Sequence, residues 1–343
     1  MNHLSTSGGR SSVSGAIATV FGSTGFLGRY VVSQLGRIGT QVVVPWRGEE
    51  KSYTHLKVMG DVGQIVPYKW DIRDKNTMID ASRYSNIIVN AAAQRWDTRN
   101  FSLKDVNVEG ARAIAEVAKE LDVERFFHIS ALGASPDAES DWLRSKWEGE
   151  EIVRKTFPKA TILRPAVMFG AQDNFLNVHA QMLRYWPVYP MVHPNKRLQP
   201  VWVNDVATAI LASIKNPDTI GKTFEIGGSH VYQFHQIIDW MNKVLKVDAN
   251  IMESPDLVTW HLGYWLEQIR KPKFTLDAIK ETKDVVCSGQ YPGLKELGIA
   301  PTPLTSQRSI GFIIHYRPPI RQLDVTLEQE ELPEGIKEGE PAY

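Results

Sequence analysis

The stretch GSTGFLGRYV, residues 22 to 31, sets Gly22, Gly25 and Gly28 at fixed offsets directly after the run Ile17 to Phe21. That spacing has a specific use. Gly22 allows a tight turn off a strand. Gly25 lets backbone N–H groups approach a pyrophosphate with no Cβ in the way, and Gly28 allows a helix to pack closely on a sheet. A helix N-terminus adds unpaired donors and partial positive charge. The loop Gly22, Ser23, Thr24, Gly25, Phe26, Leu27 and Gly28 is thus a candidate phosphate cradle. The competing reading is a purely structural strand-to-helix turn.

Further along, PWRGEE puts Pro45, Trp46 and Arg47 where an acid would bond the ribose 2′-OH of NAD. A guanidinium there forms charge-assisted bonds with a 2′-phosphate and favours NADP(H), unless Arg47 is an ordinary surface residue. In WDIRD, Asp71 and Ile72 are candidates to meet the adenine, and Asp71 also suits a helix N-cap. Ala91, Ala92 and Ala93 are small residues where a dinucleotide would cross the sheet edge.

These residues need a frame. Strand signals at Ile17–Phe21, Gln41–Val44, QIVPYKWD, NIIVNAAA, RFFHISA and ATILRPAVMFG alternate with helical patterns at Thr24–Leu35, VNVEGARAIAEVAKEL and Asp141–Lys155. Such alternation predicts an α/β fold, a Rossmann-type doubly wound parallel sheet with helices on both faces. After Gly170 the pattern changes to aromatic- and proline-rich segments mixed with QPVWVNDVATAILASI and KTFEIGG. The expected organisation is an N-terminal extension over 1–14 and a dinucleotide-binding domain over 15–170. A smaller, partly interleaved C-terminal α/β lobe follows over 171–320, and an acidic extended tail over 321–343.

Composition narrows the function classes. The chain has 343 residues, 39 Lys plus Arg, 39 Asp plus Glu and no formal net charge, which argues against bulk nucleic-acid binding. No apolar run approaches the roughly 20 residues of a membrane span. The single cysteine, Cys287, excludes an internal disulfide and a cysteine-based metal site, and the histidines show no metal-ligand spacing. No acid precedes Glu49, although Arg10, Arg29, Arg37 and Arg47 do. The opening STSGGRSSVSG therefore has the flavour of an import sequence, against the simpler reading of a phosphate-binding lobe that avoids negative charge.

The segments GSTGFLG, NAAA, DVNVEGARAIAEVAKE, LRPAVMFG and QPVWVNDVATAI, in this order over about residues 15 to 230, resemble the extended, atypical short-chain dehydrogenase/reductase family. Within it, GGRSSVSG, VPWRGEEKSYTHLKVMGDVGQIVPYKWDIRD, TRNFSLKDVN and FIIHYR are most similar to the NAD(P)H-binding accessory subunits of mitochondrial respiratory complex I. HLKVMGDVGQ is the most distinctive part of the match, because dinucleotide binding does not require it.

Active members of the wider family carry Tyr-x-x-x-Lys on a helix, the Tyr moving the proton that accompanies hydride. In DWLRSKWEGEE, Lys146 matches the lysine, and Trp142 stands where the tyrosine would. Indole N–H is a donor only, so the general-acid route, a contribution on the order of 10² to 10⁴ in rate, is lost. In FHISALGAS, Ala131 falls at the family's serine position and Ser130 just before it. The resemblance implies that Lys146 bonds ribose hydroxyls and that Ser130 and Pro165 complete the binding set. It implies bound NADPH, no catalytic residue and no metal. The partners would be other subunits of complex I, on the matrix side of the mitochondrial inner membrane. An active NADPH-dependent reductase or epimerase, and an NADPH-binding redox sensor, are the competing functions.

Other residues read more plainly. His128 suits a core position and Asp205 a helix cap. The aromatics of LRYWPVYP and TWHLGYWLEQ suit core packing or an interface. EQIRKPKF suits a solvated helix end or a peripheral contact with anionic lipid.

Overall fold

The computed structural model describes residues 12–254, 261, 263–264, 276–318 and 340–341. Residues 1–11, most of TWHLGYWLEQ, all of EQIRKPKF and nearly all of the acidic tail lie outside the described residues. No helix among the described residues is long and apolar enough to cross a membrane.

In chain order the first elements are β1 (Ile17–Phe21), α1 (Phe26–Arg37), β2 (Gln41–Trp46), α2 (Lys51–Thr54), β3 (Ile65–Lys69), α3 (Lys75–Ser82) and β4 (Ile87–Asn90). Then come α4 (Gly110–Glu120), β5 (Arg125–Ile129), α5 (Asp141–Thr156) and β6 (Thr161–Pro165). The second half holds β7 (Met168–Phe169), α6 (Leu176–Tyr185), β8 (Tyr189–Met191), β9 (Arg197–Leu198), β10 (Val201–Trp202), α7 (Val203–Lys215), β11 (Thr223–Ile226), β12 (His230–Gln233), α8 (Phe234–Leu245) and β13 (Ile251–Glu253).

Two compact units share the chain discontinuously. One takes the described residues up to Pro165 together with Asn204–Glu225 and Gly289–Ile299. The other takes the described residues of Ala166–Val203, Ile226–Ser288 and Ala300 onward.

The first unit is built on a seven-stranded sheet of order β11-β6-β5-β4-β1-β2-β3. The pairs β3·β2, β2·β1, β1·β4, β4·β5 and β5·β6 are all parallel. Chain order reverses at β1, with β2 on one side and β4 on the other, which opens a crevice beyond their carboxyl ends. Every residue of β1, β4 and β5 is buried, as expected for strands covered on both faces. Helix α1 buries Leu27, Val31, Val32 and Leu35, a stripe at helical spacing. Helix α4 does the same with Ile114, Ala115, Val117 and Ala118.

Three boundaries differ from expectation for local reasons. Helix α1 starts at Phe26, not Thr24, because Gly25 is extended (φ −75°, ψ 177°) and serves as its N-cap. Strand β2 continues past Val44 because Pro45 and Trp46 pair with Tyr68 and Lys69 of β3. β1 pairs with β2 only as far as Val43, so the missing Pro45 N–H breaks no ladder bond on that side. The helix after β4 begins with a wide turn over Asp105–Glu109 before it becomes regular at Gly110.

The HLKVMGDVGQ segment has a structural explanation. The Gln64 side-chain amide donates to the Gly36 and Thr40 carbonyls, each at 2.8 Å, and its oxygen accepts from the Asp61 N–H at 2.8 Å. The Met59 carbonyl lies so close to Gly36 that a Cβ there would sit 2.1 Å from it. With Leu56 fully buried, the segment is stapled to the end of α1.

In the second unit β8 and β13 pair in parallel and β9 pairs antiparallel with β12. Its core includes Tyr189, Ile237, Trp240 and Met241. His179 shares a 2.8 Å hydrogen bond with the Tyr189 hydroxyl, and burial pulls its imidazole down to about 4, as suits a neutral core residue.

Candidate nucleotide site

The glycine loop joins β1 to α1 at the crevice. Gly22 has φ +80°, and a Cβ on it would lie 2.6 Å from the Ala91 carbonyl and the Ala92 nitrogen. A Cβ on Gly28 would lie 2.1 Å from the Gly22 carbonyl oxygen. The protein's own packing therefore demands both glycines. Gly25 differs. A Cβ there would meet only the Gly22 oxygen at 3.1 Å, the residue is exposed, and its φ is ordinary. Apart from the Gly22 oxygen, no described residue approaches the space above Gly25, and that space fits a ligand that must reach the backbone. Helix α1 has no side-chain cap and no acid in its first turn, so its leading N–H groups face that space uncompensated.

The neighbours of Gly25 hold the loop. The Ser23 hydroxyl is buried and donates to the Pro45 carbonyl at 3.2 Å, which ties the loop to β2. Thr24 is half-buried, and Arg29 donates back to the Thr24 and Gly25 carbonyls, each at 3.2 Å. Phe26 stacks edge-on against Tyr30, and Leu27 is part of the core.

Arg47 and Asp71 follow β2 and β3 at the same end of the sheet. Arg47 is exposed, with its guanidinium 5.2 Å from the centre of the Phe101 ring. The Asp71 carboxylate accepts from the Arg73 N–H at 2.9 Å. That bond, outweighing some burial and aided by the Arg73 and Arg47 guanidiniums, holds its pKa below the usual carboxylate value. Asp71 caps no helix, since Asp74 is the N-cap of α3. Ile72 is half-buried and, with Ala92, packs on the cluster of Phe21, Trp70 and Ala111. Its Cδ1 would lie 2.4 Å from a Cβ on Gly110.

Ala91, Ala92 and Ala93 follow β4. The Ala91 N–H bonds the Phe21 carbonyl at 2.9 Å, and Ala93 is exposed. Asn107, in the wide turn, holds the loop beyond them by bonding both the N–H and the carbonyl of Gln94 at 2.9 Å, and it also donates to Ser145 of α5.

Lys146 lies inside the protein at 3% exposure and donates to the Ile129 carbonyl at 2.6 Å. Burial pulls its ammonium down to about 8 against the opposing pull of Glu150. Ser130 and Pro165 are buried at the carboxyl ends of β5 and β6, and the Pro165 carbonyl accepts from Leu132. Trp142 stands one turn before Lys146 on α5, half-buried, under the Arg95 guanidinium at 4.9 Å and against Ala131, Ala138 and Leu143. His128 shares a 3.2 Å contact with Asn90 and is pulled to about 3 by burial and the Lys146 charge, so its ring is neutral.

Most of the predicted site residues thus lie on the loops or strand ends at the carboxyl edge of the sheet; Phe26, Leu27 and Gly28 form the first turn of α1, and Lys146 comes from α5. Residues 18–227 match the NAD dependent epimerase/dehydratase family. The rat protein named NADH dehydrogenase [ubiquinone] 1 alpha subcomplex subunit 9, mitochondrial, is 43% identical over 303 residues, covering 87% of this chain and 80% of its own. Its Dictyostelium discoideum namesake is 38% identical, covering 91% and 88%. The chain belongs to this family of mitochondrial complex I subunits. A further member, the 40 kDa subunit of the Neurospora crassa NADH-ubiquinone oxidoreductase, is 35% identical, covering 90% and 80%. The fold is shared with an NADPH-dependent quinone oxidoreductase of Escherichia coli solved with NADPH, at a TM-score of 0.69 and 17% identity, covering 86% of this chain and 98% of that one.

The subunit carries site features that its sequence did not flag. Asn107 and Gln94 set the loop after Ala93, and Arg73 and Phe101 surround Asp71 and Arg47. Behind Lys146, Glu150 is fully buried and accepts from Arg164 at 2.7 and 3.0 Å and from Arg154 at 2.5 Å. Burial alone would raise its pKa, but the two guanidiniums outweigh it and the carboxyl is lowered. Helical spacing of Lys146 and Glu150 was the available signal; Arg164 comes from β6 and left none.

Proposed function

We propose that this subunit holds NADPH without turning it over, as an accessory part of complex I on the matrix side of the inner membrane. One observation carries the non-catalytic reading: Trp142 occupies the position one helical turn before Lys146, where active short-chain dehydrogenases place a tyrosine. Indole neither ionises near neutral pH nor accepts a proton.

The residues that would hold the nucleotide are the loop Gly22–Gly28 with the α1 N-terminus at the pyrophosphate, Arg47 at the 2′-phosphate, and Asp71 with Ile72 at the adenosine. Ala91–Ala93 would face the crossing chain, and Lys146, Ser130 and Pro165 the nicotinamide half. Bound NADPH supplies a hydride; this chain lacks the tyrosine that would deliver the accompanying proton. Its contribution is instead to stability, about 2.7 kcal/mol when free ligand exceeds the dissociation constant a hundredfold. That stabilisation supports assembly with neighbouring subunits.

The purified chain loaded with NADPH is incubated with a broad panel of carbonyl and sugar-nucleotide substrates. Unchanged nicotinamide absorbance is expected. Steady oxidation that Lys146→Ala abolishes would mean an active reductase instead. In cells, Gly25→Trp is expected to lower intact complex I on native gels, and full assembly by a nucleotide-free Gly25→Trp chain would refute the structural role.

A further inference from the structure

Three side chains from three different loops meet beside Asp71. Arg47 follows β2, Arg73 follows β3, and Phe101 comes from the connection between β4 and α4. The Arg47 and Arg73 guanidinium carbons lie 5.2 Å and 4.6 Å from the centre of the same Phe101 ring. Phe101 is half-buried, and both arginines are exposed.

Two guanidiniums on one ring repel each other, and cation–π attraction at an exposed site returns only about 0.5–1 kcal/mol each. Asp71 feels both guanidiniums and is engaged by Arg73 through the backbone N–H at 2.9 Å and a longer Nε contact of 3.4 Å, and Asp105 feels the Arg73 charge as well. Arg47 forms no ion pair among the described residues. The cluster is therefore short of negative charge on the Arg47 side. The Arg73 guanidinium is pinned at Nε, with its terminal nitrogens directed to no described partner. A phosphate monoester brings close to two negative charges and three acceptor oxygens at neutral pH. It matches a pair of pre-positioned guanidiniums better than it matches one.

We propose that Arg73 is a second specificity-determining residue for the nucleotide 2′-phosphate, paired with Arg47 across Phe101, which holds both guanidiniums ready. The inference rests on the proposed function, since it assigns that site's preference for the phosphorylated ribose. Phe101 acts as a positioning residue: stacking removes rotamer freedom from two long side chains before the ligand arrives, which lowers the cost of binding. Asp71 holds the Arg73 guanidinium through its Nε at 3.4 Å.

Calorimetry on the full chain separates the possibilities, with NADPH, NADH and 2′-phospho-ADP-ribose as titrants. Arg73→Gln is expected to weaken NADPH and 2′-phospho-ADP-ribose by about tenfold or more, the scale of one charge-assisted contact, and NADH by less than about twofold. Phe101→Ala should show the same selective loss, and Arg73→Lys should recover part of it. Both residues are on loops, Arg73 exposed and Phe101 half-buried, so thermal melts without nucleotide that match wild type exclude misfolding. If Arg73→Gln weakens all three ligands alike, or none, the inference is wrong. If Arg47→Ala alone is selective, the inference falls while the NADPH-holding function stands. A wild-type chain that binds none of the three would overturn both.

Discussion

Lys146 donates from Nζ to the carbonyl oxygen of Ile129 across 2.6 Å, joining the middle of α5 to the last residue of β5 inside the protein. The contact ties the lysine to the carboxyl end of β5 from helix α5. It also makes Lys146 a buried titrating group.

The first prediction is an alkaline slope in stability. Burial sets the folded pKa of Lys146 at about 8, against about 10.4 in the unfolded chain. Between these values the unfolded state binds more protons, so stability rises with pH. Below about 8 both states carry the proton, and the penalty is constant. Raising the pH from 8 to 9.5 should add on the order of 2 kcal/mol, read by urea unfolding. Lys146→Met should remove this increment. An unchanged slope in the variant would assign it to other groups.

Gly25 and Gly28 should respond oppositely to alanine. In Gly28→Ala the new Cβ sits 2.1 Å from the Gly22 carbonyl oxygen, backbone that must move. A loss of roughly 2–4 kcal/mol is expected without any nucleotide. In Gly25→Ala the Cβ meets only the Gly22 oxygen at 3.1 Å, so unliganded stability should stay within about 1 kcal/mol. The gain in melting temperature on adding NADPH should shrink sharply. Equal nucleotide-induced gains in Gly25→Ala and wild type would remove Gly25 from the cradle.

Removing the Glu150 carboxylate should be severe. It is the shared acceptor of Arg164 and Arg154, and the Arg164 side chain is only 13% exposed. Glu150→Ala leaves the Arg164 guanidinium with only the longer contact to Glu225 at 4.0 Å, at a cost approaching the roughly 3–5 kcal/mol of a broken buried pair. Replacing Glu150 and Arg164 together by Gln and Met should cost less than the single change. Guanidinium chloride curves on wild type, Glu150→Gln, Arg164→Met and the double variant would show this non-additivity, and strictly additive losses would contradict the coupling.

Local spacing carried much of the fold. The glycines after β1 and the stripes of α1 and α4 depend on near neighbours, and so does the alternation of apolar strands with amphipathic helices. All of these are legible in order along the chain. The replacement of tyrosine by Trp142 is likewise a matter of one helical turn. The cradle residues could be named because a strand, a turn and a helix follow directly on one another there.

Other features depended on chain segments meeting from afar. β11 pairs beside β6, and residues 204–225 and 289–299 join the first compact unit, although a change in composition after Gly170 separates them in sequence. Gln64 bonds Gly36 and Thr40, which turns HLKVMGDVGQ from an unexplained motif into a staple on α1. Arg73 looks like a plain exposed residue beside Asp71 until Phe101 brings it to the same ring as Arg47. The two cases have one physical reason. Backbone geometry and helical or strand periodicity act over a few residues and leave their mark in residue order. Side-chain meetings between loops depend on where the sheet delivers each strand end, and no local pattern encodes that.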